Sequence, residues 1–158
     1  MTSGPVHTRI AMSGARAPYI GPGLHLDPHR NAATTVVISL QSPFQLALAD
    51  SAGLLRQDAP CRIAVIPGGA LHHLGTHGEV AFVYLDAIGD DVAALRALDL
   101  NAAWQAMAAH PRAAMAHWNA DDFCLALGIG VRPPGDPRIH GIVRRIDEDP
   151  QAFAKVAD

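Results

Sequence analysis

The sequence has almost no lysine and no excess of positive charge. Lys155 is the only lysine among 12 basic residues, which stand against 15 acidic residues and leave a net charge of −3. A nucleic-acid-binding surface normally carries a basic excess, and a polybasic membrane patch needs clustered cations. The chain as it stands therefore predicts neither kind of surface.

Cysteine and long hydrophobic runs are also scarce. The two cysteines, Cys61 and Cys124, are too few for a disulfide framework. No apolar run reaches the length of a membrane span, and the first twenty residues contain no apolar segment of a secretory signal. We therefore expect a soluble cytoplasmic protein that does not act at a membrane. With 158 residues, of which 49% are apolar and 17% charged, the chain can form one domain with a sizeable core.

The first part of the chain has the pattern of a small β-barrel or sandwich. Residues 1–18 lack periodicity and predict a flexible N-terminal arm. Between residues 19 and 88, short β-branched or alternating apolar runs are separated by turn residues. The predicted strands are Thr34–Leu40, Phe44–Leu48, Cys61–Ile66 and Val80–Leu85, with a hairpin turn at Asp50–Gly53. We expect Val80–Leu85 to be buried on both faces.

After residue 88 the pattern becomes helical. Residues 89–135 are rich in alanine, and their apolar positions recur at helical spacing. Asp90 and Asn101 are the predicted caps of the first two helices. At the start of 136–158, Asp136-Pro137 gives a further helix start signal, because proline fits the first helical position. Strands first and helices second is the order of the α+β class.

Two histidine-containing segments carry the candidate chemistry. In PGGALH at 67–72, proline ends one strand, glycine makes the turn, and His72 begins the return strand facing the barrel interior. In LHLDPHRN at 24–31, His29 and Asn31 share one face of an extended backbone while Arg30 points away. His29, Asn31 and His72 are therefore predicted to converge at the mouth of the barrel.

The same histidines are candidate metal ligands. Neutral imidazole binds divalent transition metals readily, and His29, His72 and His77 are the candidate ligand set. Asn31 is a poor ligand for these metals, and no glutamate follows at the spacing expected of a further ligand. A histidine at a strand end is more often hydrogen-bonded or exposed than bound to metal. We therefore assign no cofactor and keep a divalent transition metal as the candidate.

Three stretches resemble the N-terminal sensor domain of AraC/XylS-type transcription regulators, a branch of the cupins. His29-Arg30-Asn31 before TTVVISL is similar to the family's H-x-H segment. IPGGALHHL followed by VAFVYLD is similar to its second conserved segment, which ends here at Asp86. The segment 136–158, DPRIHGIVRRIDEDPQAFAKVAD, resembles the linker helix and the opening of a helix-turn-helix domain.

The resemblance implies a cupin-like β-barrel, a double-stranded β-helix, followed by a C-terminal helical segment. It implies an effector-binding barrel at 19–88, a helical dimerisation segment at 89–135, and the start of a truncated helix-turn-helix domain at 136–158. The expected protein is a homodimer that senses a small molecule or ion without catalysis. It would bind DNA only through a helix-turn-helix domain beyond residue 158.

The expected effector contacts come from both histidine segments and one barrel strand. They are His25, His29, Arg30, Asn31, His72 and Tyr84, with Ile38, Val65, Phe82 and Tyr84 as candidate walls. Two alternatives stay open. One is a small metal-dependent cupin enzyme, such as a dioxygenase or isomerase, that uses His25, His29, His72 and His77. The other is a free-standing dimerisation module that sequesters full-length regulators.

Overall fold

The computed structural model describes residues 8–10, 16–85 and 90–130. The predicted segment 136–158, Asp86, and most of the predicted arm lie outside these residues. Within them, nine strands precede four short helices, which is the predicted α+β order. The elements are β1 (Arg9–Ile10), β2 (Arg16–Pro22), β3 (His29–Arg30), β4 (Thr34–Ser39), β5 (Gln45–Ala49), β6 (Leu55–Gln57), β7 (Ile63–Ile66), β8 (Leu71–Gly75), β9 (Glu79–Leu85), α1 (Asp90–Arg96), α2 (Leu100–Ala108), α3 (Arg112–Met115) and α4 (Ala120–Ala126).

The strands form two antiparallel sheets with nested pairing. One sheet has the order β1-β2-β9-β4-β7, and the other has the order β3-β8-β5-β6. The predicted hairpin at Asp50–Gly53 joins β5 to β6 and is confirmed, with Gly53 at a φ of 78°. Outside this hairpin β4 pairs with β7, β3 with β8, and β2 with β9. The chain therefore folds back on itself as one long ribbon that bends into two layers.

The five-stranded sheet is buried on both faces. Along β9, Val83 and Leu85 belong to the apolar cluster that includes the helices, whereas Val80 and Phe82 belong to the cluster between the two sheets. Because successive side chains of a strand point to opposite faces, a strand that is buried on both faces has consecutive apolar residues, such as Val80–Val83. The predicted two-sided burial of this strand is confirmed, and all six residues of Thr34–Ser39 are buried in the same way.

The N-terminal boundary differs from the prediction. Strand β2 begins at Arg16, and β1 pairs with Tyr19 and Ile20, so that parts of the predicted arm belong to the sheet. The full length of β2 pairs with β9, which satisfies the backbone donors and acceptors on that edge of β2. Glycine and proline interrupt this segment and hide the alternation by which a strand is normally detected.

The helices cover the outer face of the five-stranded sheet. Asp99, and not the predicted Asn101, caps α2: its side chain accepts hydrogen bonds from the backbone amides of Asn101 and Ala102 at 2.9 and 3.1 Å. Asn119 and Asp122 form a reciprocal capping box at the start of α4. None of the helices in the described part of the chain is long and apolar enough to span a bilayer.

Arg16 connects the sheet to two of these helices. Its guanidinium donates two hydrogen bonds to Asp91 of α1, at 2.8 and 2.7 Å, and one to Asp121 of α4, at 2.6 Å. It also donates to the carbonyl oxygen of Gly130 at 3.2 Å. Arg16 is 7% exposed, and the bond to Asp91 is the main cause that raises its pKa. A buried cation needs such partners, so β2, α1 and α4 are held together at one point.

Replacing Arg16 with methionine is expected to lower the free energy of unfolding by about 2–3 kcal/mol, because two carboxylates then lose their cation. The loss is smaller than for a fully buried pair, since the Asp121 side chain is 35% exposed. Urea denaturation followed by tryptophan fluorescence measures the change. The matched control is Arg56→Met, because the Arg56 side chain is 69% exposed in its pair with Asp50. Equal effects of the two variants would contradict this account of Arg16.

Candidate functional site

A cavity opens between the two sheets. Its empty space is about 380 Å³, including the part open to solvent. The loop before β3, β3 itself with the residue that follows it, and the strands β4, β7, β8 and β9 contribute to its walls. The lining residues are Leu24, Leu26, His29, Asn31, Thr35, Ile66, His72, Leu74, Phe82 and Tyr84. An apolar hollow with a few converging polar groups is the usual form of a small-molecule site.

Four of the predicted effector contacts meet in this cavity: His29, Asn31, His72 and Tyr84. The structure does not bring the other two into the lining. His25 is exposed, and the exposed Arg30 donates a hydrogen bond to the carbonyl oxygen of Gly69 at 2.6 Å. Sequence reasoning missed Leu24 and Leu26, because apolar residues in a loop have no strand pattern to place them.

Two of the predicted wall residues face the wrong way. Ile38 and Val65 belong to the helix-facing side of the sheet, whereas Thr35 and Ile66 line the cavity from the same two strands. A one-residue offset in a strand moves a side chain to the opposite face. The predicted walls Phe82 and Tyr84 do line the cavity.

A glycine turn places the two histidines opposite each other. Gly69 adopts a φ of 78° in the turn before β8, and its amide donates to the carbonyl oxygen of Asn31 at 2.7 Å. A Cβ on Gly68 would lie 2.6 Å from the carbonyl oxygen of Ala32, so a side chain there would push the two segments apart. The turn thus holds β3 against β8, with His29 directly opposite His72.

Backbone hydrogen bonds fix the tautomers of both imidazoles. The ring centroids of His29 and His72 are 4.4 Å apart. Nδ1 of His29 lies 2.8 Å from the carbonyl oxygen of Asp27, and Nδ1 of His72 lies 3.0 Å from that of Ala70. A carbonyl oxygen can only accept a hydrogen bond, so Nδ1 carries the proton in each neutral ring. Each Nε2 therefore retains a free lone pair.

Burial favours the uncharged forms of His72 and Tyr84 in the cavity. His72 is 2% exposed, and burial lowers its pKa below the usual value of 6.5, although its bond to Ala70 opposes the shift. The neighbouring His29 and His73 lower this pKa further. Burial also raises the pKa of the Tyr84 phenol. At neutral pH the cavity therefore presents a neutral imidazole and a protonated phenol.

Of the three predicted metal ligands, the structure brings only two together. His29 and His72 adjoin, whereas His77 is exposed in the turn between β8 and β9 and is not among the lining residues. In the part of the chain that the structure describes, no group of three His, Cys, Asp or Glu residues could hold a metal ion. The two Nε2 atoms could hold a divalent metal only together with ligands from outside the protein or from elsewhere in the chain.

The two cysteines contribute no nucleophile. Cys124 is a fully buried residue of α4, and burial raises its pKa to about 12. Burial and the nearby Asp58 raise the pKa of the half-buried Cys61. Both thiols are therefore protonated at neutral pH, as expected of small core residues.

No family model and no curated protein matches the chain. The cupin-2 domain protein Rru_A2000 of Rhodospirillum rubrum is 20% identical, with 62% of this chain and 76% of that chain covered and a TM-score of 0.37. KdgF from Halomonas sp. is 18% identical over 54% of this chain and 81% of that one, with a TM-score of 0.40. A variant of Bacillus subtilis oxalate decarboxylase is 12% identical over 73% and 38%, with a TM-score of 0.41.

These similarities concern the fold. The described residues form two antiparallel sheets with few helices, which is a β-rich fold, and the solved structures to which the chain is similar include a cupin-2 domain protein. Nothing in the comparisons shows that the chain belongs to the AraC/XylS regulators. The prediction of a protein without catalysis is wrong as it stood, because oxalate decarboxylase is an enzyme among the neighbours.

Stability is expected to fall as the pH is lowered from about 7 to about 5. The unfolded His72 ring takes up a proton near its usual pKa of 6.5, whereas the folded, buried ring does so only at lower pH. The unfolded state thus binds more protons in this window, so the contribution of His72 is complete above the usual pKa and is lost as pH falls toward the lowered one.

Urea unfolding across this pH range measures the effect. The His72→Gln variant should have a smaller dependence of stability on pH than the wild type. The matched control is His73→Gln, because His73 is the exposed neighbour on the same strand and the smallest of the causes that lower the pKa of His72, so the dependence should change much less than in His72→Gln. A wild-type dependence in His72→Gln would contradict the role of burial.

Proposed function

We propose that the cavity binds a small molecule and that the protein is the effector-sensing domain of an AraC-type transcription regulator. The supporting observation is that the five-stranded sheet faces the cavity on one side and the helices on the other. Phe82 and Tyr84 of β9 line the cavity, while Val83 and Leu85 of the same strand pack against the helical side. A ligand that stiffens or shifts β9 therefore acts on both layers.

The route from the cavity to the helices is short. Tyr84 pairs with Ala17 of β2, and the next pair along the ladder is Leu85 with Arg16. Arg16 in turn holds Asp91 of α1 and Asp121 of α4. Sensing requires only that the ligand bind better to one arrangement of these helices than to another. The ion network at Arg16 is the element that would differ between the two arrangements.

We propose that the barrel is a double-stranded β-helix. Its support is the nested pairing, in which β5–β6, β4–β7, β3–β8 and β2–β9 alternate between the two sheets. In such a barrel the two sheets enclose an interior that side chains fill only in part. The cavity is then the end of that interior.

The homodimer and the DNA contact belong to the same proposal. The alanine-rich helices would allow the close approach of a second copy, and Leu125 of α4, which is 67% exposed, would lie in that contact. The helices would then carry the dimer contact, and a helix-turn-helix domain beyond residue 158 would bind DNA. Paired DNA half-sites match a protein with twofold symmetry.

A second candidate is a small metal-dependent enzyme, such as a dioxygenase or isomerase. The observation in its favour is the His29–His72 pair, because both rings line the cavity and both leave Nε2 without a proton. Neutral Nε2 atoms are the form of histidine that binds transition metals. In that case Phe82 and Tyr84 would orient a substrate beside the pair.

A thermal-shift screen against small metabolites tests the proposal. A specific ligand at about 100 times its Kd should raise the melting temperature by about 5–10 °C, because it binds only the folded state. His72→Gln and Tyr84→Phe should each reduce this shift, and His73→Gln should retain it. Tyr84→Phe is the second variant because it removes one hydroxyl group and little packing.

Elemental analysis of the purified protein separates the two candidates. A transition metal bound in stoichiometric amount, together with turnover that His72→Gln abolishes, would favour the enzyme and contradict the sensing proposal. Metal in substoichiometric amount, with a ligand that raises the melting temperature of the metal-free protein, is the result that the sensing proposal predicts.

A further inference from the structure

We infer that the cavity selects an uncharged ligand that carries two neighbouring hydrogen-bond donors on an apolar frame. The inference rests on the proposed ligand-binding function and adds the chemical class of the ligand. Its basis is an imbalance in the lining: the polar atoms of the cavity are mostly acceptors, and no charged side chain stands among them.

The two histidines supply acceptors. Nδ1 of His29 and Nδ1 of His72 both donate to backbone carbonyl oxygens, at 2.8 and 3.0 Å. The remaining ring nitrogen of each, Nε2, can therefore only accept a hydrogen bond from the ligand. Because the ring centroids are 4.4 Å apart, the two acceptors belong to one small region of the cavity.

Thr35 adds a third acceptor. Its hydroxyl donates to the carbonyl oxygen of Ala33 at 3.4 Å, so the lone pairs of its oxygen are what remains for a ligand. Among the lining side chains, only the Asn31 amide and the Tyr84 hydroxyl carry a proton that is not already donated to a backbone carbonyl oxygen. A ligand that only accepts hydrogen bonds would leave the histidine and threonine acceptors unpaired, which is costly in a desolvated site.

The lining also disfavours a charged ligand. None of the lining residues in the described part of the chain is Asp, Glu, Lys or Arg. The nearby Arg30 is exposed, and its guanidinium is bonded to the carbonyl oxygen of Gly69. An anion or a cation would therefore lose its hydration without gaining a partner of opposite charge.

The rest of the lining sets the frame of the ligand. Ile66, Leu74 and Phe82 form an apolar inner wall, and all three are buried. Leu24 and Leu26, at 39% and 48% exposure, are the more exposed members of the lining. A compact ring or short chain with an apolar flank fits this wall, with its donor groups directed at the histidine pair.

Three matched probes test the inference by nitrogen-15 NMR of the histidine side chains. They are cis-1,2-cyclohexanediol, its dimethyl ether, and cyclohexanecarboxylate. The free protein should show the Nδ1–H tautomer for His29 and His72. The diol should shift the Nε2 signals of both, with an affinity at least about tenfold higher than that of the ether or the carboxylate, because only the diol donates to both rings.

The variants and the opposing outcomes are specific. His72→Gln should weaken diol binding, and His73→Gln should not. If the carboxylate or the ether binds as tightly as the diol, the ligand class is wrong while a ligand-binding cavity remains. If the diol, the ether and the carboxylate all fail to shift the Nε2 signals and added Zn²⁺ alone shifts them, both the ligand class and the proposed function are wrong.

Discussion

Burial of one sheet on both of its faces is the constraint on which the rest of the structure depends. Strands β4 and β9 are apolar or small on both sides because helices cover one face and the second sheet covers the other. Val36 and Val37 are both fully buried, yet they belong to opposite clusters. A single layer of backbone therefore separates the cavity from the helices. Because the two are this close, the proposed effect of a ligand on the helices needs no long chain of contacts.

In the part of the chain that the structure describes, Arg16 on one side of the sheet and the His29–His72 pair on the other are buried or half-buried polar groups with specific partners. On the helix side Arg16 is neutralised by Asp91 and Asp121, which come from two different helices. On the cavity side His29 and His72 are each bonded at Nδ1 to a backbone carbonyl oxygen. Satisfying one ring nitrogen fixes the chemistry of the other, since a neutral imidazole has one donor and one acceptor. The folding requirement on the inner side thus determines what the cavity offers a ligand.

The sequence was sufficient for the features that depend on local pattern. The β-branched run in β4, the Asp50–Gly53 hairpin and the turn before His72 each have a local signal, and together they bring His29 and Asn31 beside His72. Features set by tertiary structure were missed. The prediction placed Ile38 in the cavity although its side chain points to the helices. Consecutive apolar residues do not show which of them face the cavity and which face the helices. Arg16 has no local signal at all, since its partners lie about 75 and 105 residues away.

Hydrogen exchange of the full chain, with and without the compound that most raises its melting temperature, tests the central claim most directly. If the shared sheet links cavity and helices, the ligand should slow amide exchange in β9 and also in α1 and α4, while the exposed β6 is unchanged. Slower exchange confined to the strands around the cavity, with α1 and α4 exchanging as in the free protein, would contradict it.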